Sequence, residues 1–505
     1  MKLKAVIFWT LAPFVVFAQK FDNIWIIGDS NIPNTTAHGG MILNFAHTPA
    51  KVSFHYRPVN MFVANSSMCD SSGSLLFYTN GCEIASDNDE VLPNGDDINP
   101  GPWHTILCDQ NNDGYATGYP GLLTLPQPDS GGIYYVVHQT MKYVPSPMEY
   151  AFVAKLHYTK VRKTEDPTNE YIVGKKNILL VEDSLSAGEL NAVKHGNGKD
   201  WWVIQPRRNS NQFYIFLLTK NGISFDHIQT IGSHPPAEKE NLGQTIFSPD
   251  GTIMVRFFAE NPIMYYQFNR NTGFFEEFRI INIDFGADLA LDGGCAISPS
   301  SQFLYISALL QVYQFDLWAS EISTSQVKVA MWDGFVDPVA IAFSHCQLGP
   351  DCKIYILGGG DTKYYHIIHN PDEPGLACNV EQRGLVLPTP SGASIPYFPN
   401  YRLGPIDNPG LPCSPVVAMN HPPLPLPEVH VWPNPAHDQL GFSLVENSIK
   451  SISLRDALGR VVKTVSLGSS SGIYTMSVSD LAGGLYFWEI EDVKGRSLAG
   501  KVIIQ

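Results

Sequence analysis

Charge is scarce in this chain. Of its 505 residues only 16% are Asp, Glu, Lys or Arg, while 44% are hydrophobic. A disordered acidic chain needs the opposite balance and is excluded. Basic runs are missing as well. The net charge is −15 and no long run of Lys and Arg appears, so the footprint that displaces counterions from nucleic-acid phosphates is absent. Anionic membrane surfaces are disfavoured on the same ground. Beyond residue 18 no apolar run is long enough to cross a bilayer as a helix. No amphipathic helical period of useful length occurs. The GxSxG, HExxH and Walker sequences are lacking too. Cysteines number 8 and match no zinc spacing.

Turn formers and aromatics are abundant: 42 Gly, 37 Pro, and 11% Phe, Trp and Tyr. Gly and Pro without a three-residue period exclude collagen, and aromatics suit pleated, half-buried surfaces. An all-β chain is expected. At its start Lys2 and Lys4 precede the apolar stretch Ala5–Ala18, and a small residue stands before Gln19. Residues 1–18 read as a secretory signal peptide, cut before Gln19. Disulfides persist outside the cytoplasm, so the cysteines read as structural. Cys346 and Cys352 flank a turn between two strand-like runs and are expected to pair across that hairpin. Cys82 and Cys108 lie in one local unit and are expected to pair. Cys378 with Cys413 is a third assignment, and Cys69 and Cys295 have no clear partner.

From about residue 60 to 360 one unit recurs every roughly 50 to 70 residues, a period that suits the blades of a β-propeller. A turn rich in Gly, Asp, Ser and Pro is followed by an alternating aromatic and β-branched strand. The turns centre on Gly73, Gly131, Gly198, Gly251, Ser301 and Cys352. Stacking such units in a ring buries both faces of each sheet and protects its edges. The fold expected for residues 19–405 is therefore a seven-bladed β-propeller. One blade would be shared between the ends, residues 21–46 pairing with the stretch near Ile395–Leu403. The phrases SSGSLLFYTNG (71–81), VLPNGDDINPG (91–101), GPDCKIYIL (349–357) and IPYFPNYRLG (395–404) resemble those of a propeller family of secreted bacterial proteins. They are turns and strand starts, so the resemblance implies fold rather than activity.

Residues 406–428 are dense in proline and read as an extended linker. Residues 429–505 then read as six or seven short strands, enough for a small Ig-like β-sandwich. This tail balances seven basic and seven acidic residues, so the negative charge belongs to the rest of the chain. Four phrases follow in order: Pro433-Asn434-Pro435-Ala436, Leu458-Gly459-Arg460, the stretch Ser479 to Phe487 with Gly484 inside it, and Gly500-Lys501-Val502-Ile503-Ile504. With them the tail resembles the type A C-terminal sorting domain of type IX secretion cargo. The resemblance implies that outer-membrane secretion machinery reads the tail and a sortase-like peptidase then removes it. It also implies a chain exported through the periplasm to the cell surface or the medium.

Candidate chemistry is sparse. His366 and His369 lie three apart, which on a strand puts them on opposite faces. Asp87/Asp89 and Asp96/Asp97 sit in Gly/Asn-rich loops, where solvated turns are the default. Asp109, Asn111 and Asp113, followed by Gly114, fit the first half of a calcium loop, but Pro120 occupies the position of the distal Glu. Calcium at these three residues is the one cofactor expectation. The propeller is expected to bind an extracellular protein or glycan without catalysis. The alternative is a polysaccharide hydrolase or lyase, which would need two carboxyls across a cleft.

Overall fold

The computed structural model of the chain describes residues 19–29, 39–62, 64–144, 150–165, 170–235, 243–259, 262–286, 293–393, 395–413, 429–444, 449–456, 460–470, 473–492 and 497–505. The expected signal peptide and residues 414–428 of the expected linker lie outside them. The chain divides into two compact units, Met1–Val416 and Val417–Gln505.

Among the described residues the first unit holds seven antiparallel sheets in chain order, the blades of a propeller. Blades one and two have three strands and the other five have four. The inner strands of blades two to seven are Ser66–Cys69, Leu122–Pro126, Asn191–Lys194, Gly243–Phe247, Gly294–Ile297 and Cys346–Leu348. Burial falls outward within a blade. Trp201–Pro206 is buried throughout, while Gly222–Thr230 at the rim of the same blade is largely exposed. In all six repeats the turn after the inner strand carries a residue in the left-handed region. These are Gly73, Gly132, Gly198 and Gly251, then Ser301 at φ 63° and Cys352 at φ 66°. A tight hairpin requires that backbone, and glycine is its cheapest occupant.

Blade one closes the ring. The segment 21–28, which carries its strand Ile24–Gly28, runs antiparallel to the segment 61–69 that leads into and forms the inner strand of blade two, as the bonds Cys69 N–H to Phe21 O and Met61 N–H to Gly28 O show. It therefore stands second in its blade, and the innermost place falls to residues 395–403. Phe398 packs on Trp25, Tyr401 on Phe21, and Arg402 pairs with Asp22 at 2.6 Å. The expected pairing of 21–46 with this stretch is thus made by side chains. The sheet itself stays three-stranded among the described residues. Pro396 and Pro399 lack the N–H groups a ladder needs.

The second unit is a sandwich of two sheets. Val429–Trp432, Gln439–Leu444 and Ile473–Ser477 form one. Val461–Ser470, Ile449–Arg455, Gly484–Asp492 and Ser497–Ile504 form the other. Leu440, Phe442, Ile452, Leu454, Ile490 and Val502 fill the space between them. Burial of each large aliphatic or aromatic side chain contributes about 1.5–3 kcal/mol.

The disulfides bear out one expected pairing and correct two. Cys82 is bonded to Cys108. Cys352 is bonded to Cys413 rather than to Cys346. The hairpin register explains the difference: Cys346 faces Ile356, while Cys352 sits in the left-handed turn itself. Its side chain leaves the hairpin and meets the chain returning past residue 404. Cys346 and Cys378 are buried free thiols, so the Cys378–Cys413 pairing is corrected as well.

Candidate functional site

The centre of the ring is where a propeller would house reacting groups, and here residues 395–403 fill it. Their contacts reach blades on every side. Tyr401 OH donates to Thr124 O in blade three at 2.7 Å. Tyr397 OH donates to Asn191 Oδ1 in blade four. Asn400 Nδ2 donates to Pro249 O in blade five at 2.7 Å. Gln347 Nε2 in blade seven donates to Phe398 O at 3.4 Å. Tyr119 OH donates to Pro396 O at 3.2 Å. Trp25, Trp201, Tyr397, Phe398 and Tyr401 are all buried, so this segment is a plug and the channel is a packed core.

The plug leaves a cavity of about 70 Å³ against blades four to seven. Ala192, Ile246, Cys295 and Cys346 form its apolar wall, and Asp22, Gln347 and Asn400 bring polar groups to it. Arg270 fixes the exit of the plug: its Nη2 donates to Gly404 O at 2.5 Å and its Nε to Lys194 O at 2.9 Å. Gly198 allows the close approach there. At φ 72° a Cβ on it would run into the backbone of Pro405.

Among the described residues Asp22 and Glu189 are the buried carboxylates, and each is held by an arginine. Glu189 Oε2 accepts from Arg256 Nε at 2.5 Å and from Thr245 Oγ1 at 3.1 Å. The Arg256 guanidinium lies between the rings of Phe213 and Phe258, at 5.4 and 5.3 Å. Both carboxylates are thus engaged as charge partners of the fold.

Two larger hollows lie away from the centre. One of about 180 Å³ is lined by Leu75, Asp87, Glu90, Glu170 and Tyr171. The other is an open groove of about 530 Å³, lined by Gln302, Phe303, Gln314, Asp316, Ser325 and Asp372. It lies where blade six meets the loop before the last strand of blade seven.

The residues singled out from sequence fall in varied places. Thr105–Asn111 forms a π-helix, so Asp109 and Asn111 are two apart on a helix and face different ways. Asn112 ends it in the left-handed region, and Asp113 N–H caps Leu107 O at 2.9 Å. Asp109 lies 3.5 Å from His104 Nε2. The wrapped loop that calcium requires is therefore not formed by Asp109, Asn111 and Asp113. Among the described residues no group of three or more His, Cys, Asp or Glu side chains comes together elsewhere. Asp89 accepts from Tyr78 OH at 2.7 Å, and Asp96 from Lys176 Nζ at 3.1 Å. His366 is buried, with Nε2 donating to Ala342 O and Nδ1 accepting from Arg383 N–H. Burial pushes its pKa down to about 4. His369 faces outward to Glu381.

In the tail, Asn434 Oδ1 accepts from Ile503 N–H at 3.0 Å, and Ala436 N–H donates to Ile503 O at 2.8 Å. The segment Pro433-Asn434-Pro435-Ala436 is thereby bound to the terminal strand. Gly484 stands opposite Ile504, and Lys501 is exposed opposite Phe487. Arg460 pairs with Asp456 at 2.7 Å. Gly459 lies outside the described residues.

Sequence reasoning missed Asp22, Glu189, Lys194 and Arg256. Their partners lie far along the chain, as Glu189 and Arg256 do, so no local spacing marks them. The available signal was the density of aromatics and prolines in IPYFPNYRLG, which here marks a plug.

No curated protein matches the chain in sequence. Among solved structures it is similar to a protein from Lactobacillus plantarum, at 11% identity and TM-score 0.44, covering 74% of this chain and 98% of that one. It is similar to hydrazine synthase of Kuenenia stuttgartiensis at 12% and 0.35, covering 69% and 90%. It is also similar to a gluconolactonase from Xanthomonas campestris at 12% and 0.30, covering 66% and 92%. Scores this low carry no argument about activity. Residues 430–505 match the family model of the secretion system C-terminal sorting domain. The last unit is therefore the sorting domain of a type IX secretion cargo, and the chain is exported to the cell surface or the medium.

Proposed function

We propose that the propeller is a non-catalytic binding module, delivered outside the cell to hold a protein or glycan. One observation carries this reading. The channel is filled by residues 395–403, and its buried carboxylates, Asp22 and Glu189, are each engaged by an arginine. A hydrolase of polysaccharide needs one carboxyl free to donate a proton and a second free to attack or to activate water. Contact with a partner then belongs to the rims and to open grooves such as the one lined by Gln302, Asp316 and Asp372.

The test is a screen of the secreted chain on a glycan array, beside depolymerisation assays on the polysaccharides that score. Retention without chain cleavage is expected. Turnover that is lost in Glu189→Gln or in a variant of the acidic hollow at Asp87 and Glu90 would replace this reading with the hydrolase or lyase.

A further inference from the structure

The chain carries a net charge of −15, yet six of its 33 Lys and Arg lie in the two outer strands of blade three, Tyr150–Lys163 and Tyr171–Leu185. Strand pairing sorts them. Lys155 is paired with Glu182, Lys163 with Glu170 and Lys176 with Asp96. Among the described residues no carboxylate pairs with Lys160, Arg162 or Lys175. These three share one face. Lys160 and Arg162 are two apart on one strand, and Lys175 stands directly opposite Lys160 on the next. A bulge at Gly174 makes that juxtaposition. Val173 stands opposite Val161 and is buried, and simple alternation would put Lys175 on the same side. The extra residue turns Lys175 to the other face. Gly174 also leaves room for Arg162, whose Nε would lie 3.5 Å from a Cβ there.

Like charges directly opposite each other across two strands are destabilising. Burial, and then Lys175, lower the pKa of Lys160. Arg162 and Lys175 are exposed, so neither is needed to fill the core. Aromatic rings lie beside the cations. Lys160 Nζ is 5.3 Å over the ring of Tyr135, and that ring is 5.1 Å from the ring of half-buried Tyr158. Tyr158 precedes Lys160 by two residues on its strand and faces the same way.

We propose that this face of blade three binds an acidic polysaccharide, a chain of uronic acid sugars. The inference rests on the reading of the propeller as a binding module and names its ligand. Sugar carboxylates supply the counter-charge that the three cations lack, and Arg162 offers a two-pronged donor to one of them. The ring of Tyr158 offers an apolar surface to the C–H face of a sugar. Lys160 and Arg162 stand about 7 Å apart along their strand, a spread that suits successive charges on a polymer better than one small anion. Nucleic acid fits less well. A duplex carries a charge every ~1.7 Å, and the net charge of −15 repels so dense a polyanion more than a sugar chain with one carboxylate per ring.

The experiment titrates the purified mature chain with a polygalacturonate fragment, a dextran fragment of equal length and single-stranded DNA of equal charge, at about 0.15 M salt. Polygalacturonate is expected to bind, dextran not to bind and DNA to bind more weakly. The triple variant Lys160→Gln, Arg162→Gln, Lys175→Gln should keep the native melting temperature and bind polygalacturonate roughly tenfold or more weakly. The double variant Lys155→Gln, Lys163→Gln, which removes cations that already have partners, should stay within about twofold of the wild type. Failure of the wild type to bind polygalacturonate overturns the proposal without relying on any variant. Undiminished binding by the folded triple variant, or an equal loss in the double variant, overturns the assignment to this face. DNA bound as tightly as polygalacturonate overturns the sugar as ligand. Cleavage of polygalacturonate would overturn the binding-module reading instead, and dependence of that cleavage on the three cations would leave the ligand assignment standing.

Discussion

The propeller and the tail use short recurrent phrases in opposite ways. In the propeller the phrase marks a backbone need, repeated blade after blade, and any residue that accepts positive φ can meet it. Ser301 and Cys352 stand where Gly73, Gly198 and Gly251 stand in other blades. In the tail each phrase occurs once, and the first and last hold each other. Asn434 and Ala436 are bound to the last strand through Ile503 and Gln505. Repetition therefore reports architecture and is silent about task. An ordered, unrepeated set reports one particular domain, and with it one task.

Deleting residues 429–505 should break the comparison most completely. Export should be lost, with the protein retained in the periplasm, while the propeller keeps its native circular dichroism and melting transition. Normal appearance of the truncated chain at the surface or in the medium would contradict the role assigned to the tail.

A second difference is covalent: both disulfides lie in the propeller unit. The Cys352–Cys413 bond spans a separation of 61 residues. Replacing both cysteines with serine should destabilise the propeller by about 3–4 kcal/mol in chemical denaturation. The unfolding of the tail should not move. An unchanged propeller midpoint would show that the crosslink constrains little in the unfolded chain.

Acid should also weaken the propeller. His138, bonded to Asn99 and Thr159, is held neutral by burial, and next by His157, down to about pH 3. His366 stays neutral down to about 4. In the unfolded chain both titrate near 6.5, so between these values the unfolded state binds more protons. This stability is complete above pH 6.5. It is lost as pH falls toward 4, at about 1.4 kcal/mol per pH unit for each histidine. The melting temperature of the propeller against pH should fall through that window. A flat propeller profile from pH 7 to about 4.5 would contradict the buried neutral assignment.

The smallest expected effect lies in the tail. Asn434→Ala removes the acceptor of Ile503 N–H and should lower the stability of the tail by about 1 kcal/mol. The propeller transition should stay in place. A loss shared by both units would mean that they do not unfold independently.

What the sequence could show follows from distance along the chain. The turns were legible because Gly, Asp and Ser act on their own backbone. The tail was legible because its phrases are ordered. The channel was not. Tyr397 and Asn191 lie far apart in the chain yet share a hydrogen bond, and Lys194 meets Gln19 only once the ring is closed. Cys352 misled because a hairpin drawn from spacing ignores which residue occupies the turn. The Asp109–Asp113 run misled because its composition suits a loop, while its backbone is drawn into a helix that also holds Cys108.

The bond between Cys352 and Cys413 also determines where a pull would be felt. Residues after 413 lead to the domain that the secretion machinery grips. Tension drawn along that tether arrives first at a covalent crosslink anchored in a blade-seven turn, and only then at the aromatic plug. Hauling the cargo by its address would thus load a sheet along its hairpin rather than draw Tyr401 and Phe398 out of the ring. Severing the tether beyond Cys413 would leave the closure of the ring as it was.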